Sequence, residues 1–311
     1  MRRASIHPKP ITNSRIGKVR FDWMKSLWFW SMLAISLIFG LPHLTRIEIV
    51  LASALGVLTF CLGHSVGLHR GIIHSTYQTS IWLRGFLAYL FVLTGLGGPI
   101  TWARLHAIRD YWQNQMDCPP YFAYRHSLWR DFWWNLHLRF APRDDRAMGR
   151  IPADILSDPW LRFLEATWPL HQLPVAAFVW FWLGPTAVAS VVCGRIAVGI
   201  LCHWFIGYAS HAWGHSPYKV PGASEYGTNH WFLGVLSFGE GFHNNHHAFP
   251  RSARMGQNWW DLDLGWLAIR GFQRLGLVWG IQQVDDGKTC LPAYQKSRSL
   301  STGFNHEAHG V

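Results

Sequence analysis

Two hydrophobic stretches near the start, from about Leu27 to Leu41 and from about Ile49 to Val66, are separated only by the short connection His43 to Glu48. With the aromatic collar Trp23, Trp28 and Trp30 included, they approach the ~20 apolar residues that a helix needs to cross a hydrocarbon core. Inside lipid every backbone polar group must be satisfied within the segment, so such a pair reads as a helical hairpin. A second hairpin follows as Leu173 to Leu183, a Gly184-Pro185 break, and Thr186 to about Tyr208. Between the two lies an apolar stretch, Trp82 to Pro99, whose Gly95, Gly97, Gly98 and Pro99 suit a re-entrant or interfacial segment.

Charge sets the expected orientation. Arg2, Arg3, Lys9, Arg15, Lys18, Arg20 and Lys25 precede the first span, and basic residues recur from Arg104 to Arg162 and after Arg251. The hairpin turns contain little charge, which places the N-terminus, the middle segment and the C-terminal region in the cytoplasm. The fold class expected is all-α: four transmembrane helices in two hairpins with a cytoplasmic helical cap. Residues 1–24 read as a basic cytoplasmic N-terminal segment, 25–295 as one membrane domain and 296–311 as a disordered tail. Met1 to Lys25 contains no short apolar region ending in a cleavage site, so no cleavable signal is expected. Arg195, inside the fourth apolar stretch, is expected to snorkel toward the outer face rather than act in the site.

Composition narrows the partners. Half the residues are hydrophobic and only 14% are charged, a membrane protein's balance. The net charge of +11 flanks the spans, so an anionic lipid surface explains it better than nucleic acid does. Cys61, Cys118, Cys193, Cys202 and Cys290 form no CxxC pair and read as reduced core residues.

Histidine placement points to chemistry. His243, His246 and His247 stand at i, i+3 and i+4 in Gly239-Glu240-Gly241-Phe242-His243-Asn244-Asn245-His246-His247-Ala248-Phe249-Pro250. On a helix, His243 shares a face with either of the others, while the adjacent pair can diverge toward two metals. Neutral imidazoles suit iron, copper or zinc. His69 and His74 follow the second span, but a five-residue spacing separates side chains by ~140° on an ideal helix. Both reach one metal only if the helix is distorted or ends between them. His211 and His215 form a further i, i+4 pair, in which His215 also suits a helix-end cation.

Gly67-x-His69-Arg70-x3-His74, Trp102-Ala103-Arg104-Leu105-His106 and the His243–His247 string resemble the three boxes of integral-membrane acyl desaturases, in their order and beside the same hairpins. The similarity spans about Phe21 to Asn258. It implies a membrane-bound non-haem iron oxidoreductase with a histidine-held di-iron centre, which uses dioxygen as co-substrate to remove two hydrogens from a fatty acyl chain. Carried over position by position, it gives His69, His74, His106, His246 and Asp110 to one iron, and His211, His243 and His247 to the other.

The middle box departs from the pattern. The family has His-x-x-His-His, whereas this chain has His106-Ala107-Ile108-Arg109-Asp110. Asp110 shares a helix face with His106 and a carboxylate is a competent ligand. Arg109 has no lone pair to offer. One turn before His211, related desaturases have a water-holding Asn where this chain has Gly207. Three arrangements stand open: a remodelled two-metal centre, a centre with one tightly held iron, and Arg109 turned outward to bind a carboxylate or phosphate. His64 and His203 lie one turn deeper and fit either replacement ligands or hydrogen-bonding partners of ligands. His126, His137, His171 and His230 read as surface or interfacial, and Trp129 to Phe140 as an interfacial helix or a wall of an acyl tunnel.

The reaction needs two external electrons, yet the chain has no Rossmann fingerprint, CxxCH haem site or ferredoxin cysteine pattern. A separate electron donor, of ferredoxin or cytochrome type with a reductase, is implied, and the basic cap would dock an acidic one. Hydroxylation on the same scaffold, and a degenerate lipid-binding protein without a working centre, are the alternatives.

Overall fold

The computed structural model describes residues 17–143, 151–219, 223, 225–284 and 295–296. The expected tail beyond Lys296, Cys290, His306 and His309 lie outside them. Three helices are long and apolar enough to cross a membrane: α1 (Trp23–His43), α2 (Arg46–Ile73) and α9 (Pro185–Ala212). Asp22 starts α1 by accepting a hydrogen bond from Lys25 N at 3.1 Å. At the start of α2, Glu48 Oε2 accepts from Thr45 N at 3.1 Å and Thr45 Oγ1 accepts from Glu48 N at 3.3 Å. This reciprocal pair satisfies two of the helix's unpaired donors. Glu48 is buried and also accepts from Ser190 Oγ at 3.0 Å, which ties the first hairpin turn to α9.

The second hairpin falls where expected, but its first arm is too short a helix to span alone. Its first arm, α8 (Gln172–Leu183), has 12 residues and ends at Gly184, whose φ of 86° favours glycine. Twelve residues reach only ~18 Å, against a hydrocarbon core ~30 Å thick. The apolar stretch after the first hairpin forms α3 (Ile81–Val92), turns through Gly95 and Gly97, both at positive φ, and returns as α4 (Pro99–Gln113). Gly63 of α2 allows this pair to approach closely, since a Cβ there would lie 2.4 Å from Phe91 N.

Arg195 corrects the expectation of snorkelling. It is buried, and its Nη1 donates to Leu93 O at 2.6 Å while Nη2 donates to Gln172 Oε1 at 3.0 Å. Leu93 caps the C-terminal end of α3, where carbonyl oxygens lack intrahelical partners and bear partial negative charge. Both terminal nitrogens of the guanidinium find partners there without reaching solvent.

The chain is mostly helical, but three two-stranded antiparallel ribbons correct the all-α expectation: β1 (Gly17–Phe21) with β3 (Leu138–Pro142), β2 (Gln78–Thr79) with β5 (Val278–Trp279), and β4 (Tyr218–Lys219) with β6 (Gln295–Lys296). The first pins residues before α1 to the end of α5 (Leu128–His137), the helix expected in the aromatic segment. His137 at its end is buried, not interfacial, with Nδ1 2.9 Å from Ser26 Oγ. Short helices α6 (Ala153–Ser157) and α7 (Pro159–Thr167) pack on α3 and α4. Beyond α9 come α10 (Trp231–Leu236), α11 (His243–Ala248) and α12 (Leu264–Arg274). A buried ion pair, Arg70 Nη2 to Asp263 Oδ1 at 3.0 Å, locks α2 to the start of α12.

Two glycines should respond oppositely to Ala. Gly63→Ala drives a methyl into α3 and should cost ~1–3 kcal/mol by overpacking. Gly271→Ala, with nothing within 4 Å of its Cβ, should gain ~0.4–1 kcal/mol. Thermal unfolding in detergent checks both directions.

Candidate metal centre

From Leu58 to Ile73, α2 winds as a π-helix, with i to i+5 hydrogen bonding. The same bonding ends the segment, where His74 N donates to His69 O at 3.1 Å. This winding removes the objection raised by ideal helical spacing: residues five apart stack on one face, and the rings of His69 and His74 lie 4.9 Å apart. His64, five residues earlier, joins the same face, 6.1 Å from His69.

Two histidine groups result. His69 and His74 from α2, His106 from α4 and His246 from α11 bring one nitrogen each to within 4.8 Å of one another. His211 from the end of α9 converges equally with His243 and His247 of α11. The short helix α11 thus serves both groups, turning His246 one way and the i, i+4 pair the other. Two buried amides fix it. Asn244 Nδ2 donates to Tyr218 O and Gly227 O at 2.9 and 2.8 Å, and Asn245 Nδ2 donates to Met255 O at 2.9 Å.

The proton inventory of these rings is informative. Glu240 Oε2 lies 2.6 Å from His69 Nδ1, Asp110 Oδ2 3.1 Å from His106 Nδ1, and Tyr226 O 3.2 Å from His211 Nδ1. Asp110 and the Tyr226 carbonyl accept, so they place the ring protons of His106 and His211 on Nδ1 and leave Nε2 with its lone pair, while Glu240 lies against His69 Nδ1 without a well-aligned hydrogen bond. Yet His69 Nε2 faces His106 Nε2 at 2.8 Å, and His211 Nε2 faces His243 Nε2 at 3.1 Å. His247 Nε2 is 3.0 Å from His243 Nε2. Imidazole nitrogens gathered this closely can share a cation between them. Burial, then His106 beside it, holds His74 down to about 3. Burial likewise keeps His243 and His246 well below the ordinary imidazole range and lowers His247. Neutral, inward-facing imidazoles with oriented Nδ1 protons fit a transition metal such as iron.

The other expected site residues fall outside both groups. Asp110 orients His106 and does not join the converging nitrogens. Burial opposes its ionisation, but His106 holds its carboxyl well below the usual carboxylate range. His64 and His203 pair with each other, Nε2 to Nε2 at 3.2 Å. His215 is exposed and exchanges backbone hydrogen bonds with Asn229. Arg109 donates to Asn135 Oδ1. At Gly207 the nearest atom to a built Cβ is the Tyr124 hydroxyl oxygen at 3.9 Å, and Tyr124 stacks on His211 with ring centres 4.2 Å apart. His126, expected at the surface, pairs with the buried Asp131 at 2.7 Å.

Sequence reasoning missed Glu240, Asn244, Asn245 and the Arg70–Asp263 pair. The available signal was position: the two amides separate ligand histidines on a six-residue helix and must face the other way.

A cavity of about 600 Å³ runs along α1, α2 and α9. Leu37, Leu41, Phe60 and Val198 line its apolar part, and His106 and His243 stand at its inner end.

The fatty acid desaturase profile matches residues 46–279. The sn-1 stearoyl-lipid 9-desaturase of Anabaena variabilis is 32% identical over 272 residues, covering 86% of this chain and 96% of that protein. Delta-9 acyl-lipid desaturase 2 of Arabidopsis thaliana is 33% identical over 225 residues, covering 70% and 69%. The acyl-CoA C20 Delta5-desaturase of Anemone leveillei is 30% identical over 235 residues, covering 74% and 72%. The chain belongs to the fatty acid desaturase family. It is an oxidoreductase of membrane character that desaturates fatty acyl chains, and neither hydroxylation nor a degenerate lipid-binding role is favoured.

Removing an orienting acceptor should weaken metal binding without abolishing it. Glu240→Gln and Asp110→Asn should each lower iron affinity ~10–100-fold, read by competition with a chelator. Metal-free protein should also be acid-sensitive. His74 is depressed in the folded state, so the unfolded chain takes up its proton first as pH falls below ~6.5. The melting temperature of the apo protein should therefore drop between pH 7 and 5, and bound metal should blunt that drop.

Proposed function

We propose that this chain introduces a double bond into the acyl chain of a membrane lipid, holding two irons in its two histidine groups. The observation that supports this best is one cavity lined both by apolar residues of the long helices and by His69, His106, His211 and His243 of the two histidine groups. Substrate class follows the relative matched along nearly its whole length, whose name specifies a stearoyl-lipid substrate.

An unactivated C–H bond is beyond any side-chain base. Bound iron would supply oxidising power there, drawing on dioxygen and electrons. The overall change removes two hydrogens from adjacent methylenes while dioxygen, two electrons and two protons yield two waters. This chain's residues do the rest. Apolar walls hold the acyl chain extended and exclude water. His69, His74, His106 and His246 hold one iron, and His211, His243 and His247 the other. Asp110 and the Tyr226 carbonyl keep Nδ1 of His106 and His211 protonated so that their Nε2 stays a donor to metal. His64 and His203, at the cavity wall, pair with each other through Nε2.

The electrons come from a separate donor of ferredoxin or cytochrome type. Exposed Arg104, Arg125, Arg130 and Arg139 suit docking of an acidic protein. The membrane arrangement proposed keeps four spans, with α8 and the residues before it completing the second hairpin. The metal groups and both termini lie on the cytoplasmic side, as the basic flanks require.

The test is product mass. Purified protein in a bilayer, given a reductant, dioxygen and stearoyl phospholipid, should yield an acyl chain lighter by two hydrogens. A chain heavier by one oxygen would overturn the reading, as would no change at all in protein with both irons bound.

A further inference from the structure

Arg109 shares the inner cavity wall with Gly207, His211 and His243. Its guanidinium stays protonated, and it lines the same wall as two of the three convergent imidazoles, His211 and His243. A free cation there would oppose metal binding by charge repulsion. It is not free. Arg109 Nη2 donates to Asn135 Oδ1 on α5, and Asn135 Nδ2 donates in turn to Asp131 Oδ2 at 2.9 Å.

Asp131 is the terminus of this relay and is only 1% exposed. Its Oδ2 also accepts from Trp204 Nε1 at 2.7 Å, and its Oδ1 lies 2.7 Å from His126 Nε2. It sits in the first turn of α5, where the helix dipole favours negative charge. Trp204 belongs to α9, seven residues before His211, so the same carboxylate ties together α5, α9 and, through Asn135, α4.

Resting on the reading that both histidine groups hold iron, we propose that Asn135 and Asp131 are positioning residues for Arg109. They hold the guanidinium against α5 and balance its charge, and this lets a three-histidine site keep its metal with an arginine in its wall. Arg109 is then neither a ligand nor an anion-binding group. The polar relay to α5 compensates for its charge.

Iron per chain and melting temperature, measured on purified protein in detergent, test the relay. Wild type should hold two irons. Asn135→Ala and the near-isosteric Asp131→Asn should each fall toward one iron, while the four-histidine group stays filled. Adding Arg109→Gln to either variant should restore the second iron, because the charge that needed restraint is gone. A merely structural role would not be rescued by removing Arg109. Two irons retained in both single variants, or a loss that Arg109→Gln leaves in place, would overturn the proposal. A wild type with one iron would also overturn it while sparing the four-histidine group, whereas a wild type with none would overturn the two-iron reading itself.

Discussion

Two convergent groups of imidazoles, in which His69 Nε2 and His106 Nε2 lie only 2.8 Å apart, constrain everything packed around them. That constraint organises the half of the structure around the histidine groups. Glu240, Asp110 and the Tyr226 carbonyl each engage an Nδ1, and seven imidazoles from α2, α4, α9 and α11 turn their remaining nitrogens inward. Holding such a set together takes rigid support. Asn244 and Asn245 pin α11 to surrounding backbone, and the buried Arg70–Asp263 pair fixes the residue beside His69. The polar work is done behind the ligands, so the cavity in front of them remains open to an apolar chain.

Much of this was legible in the residues. His243, His246 and His247 announced a helix whose adjacent members diverge toward two metals, and the structure turns them that way. The long first hairpin was readable from apolar length. The π-winding of Leu58–Ile73 was not, since no residue type there dictates it. Only the awkward spacing of His69 and His74 hinted that an ideal helix would fail. Long-range partners were equally hidden: Arg195 finds the end of α3, and His137 finds Ser26 across more than a hundred residues. Hydropathy could rank Arg195 as costly but could not name the carbonyl that satisfies it. The small ribbons pair segments far apart in sequence and too short to show period-two alternation, which is why an all-α expectation passed over them.

The substituted middle box marks the difference between reading a motif and reading a site. By position, Asp110 and Arg109 stand where two more ligands are expected. By geometry, Asp110 supports His106 from behind, and Arg109 leans on α5 through Asn135. What remains in front is a group of four histidines and a group of three, with Tyr124 stacked on the poorer one.

Iron K-edge X-ray absorption of the purified wild-type protein bears most directly on the central claim. The account predicts bound iron whose nearest shell is dominated by nitrogen, with the multiple-scattering pattern of imidazole rings. Protein that binds no iron, or iron surrounded by oxygen or sulfur without that pattern, would contradict it.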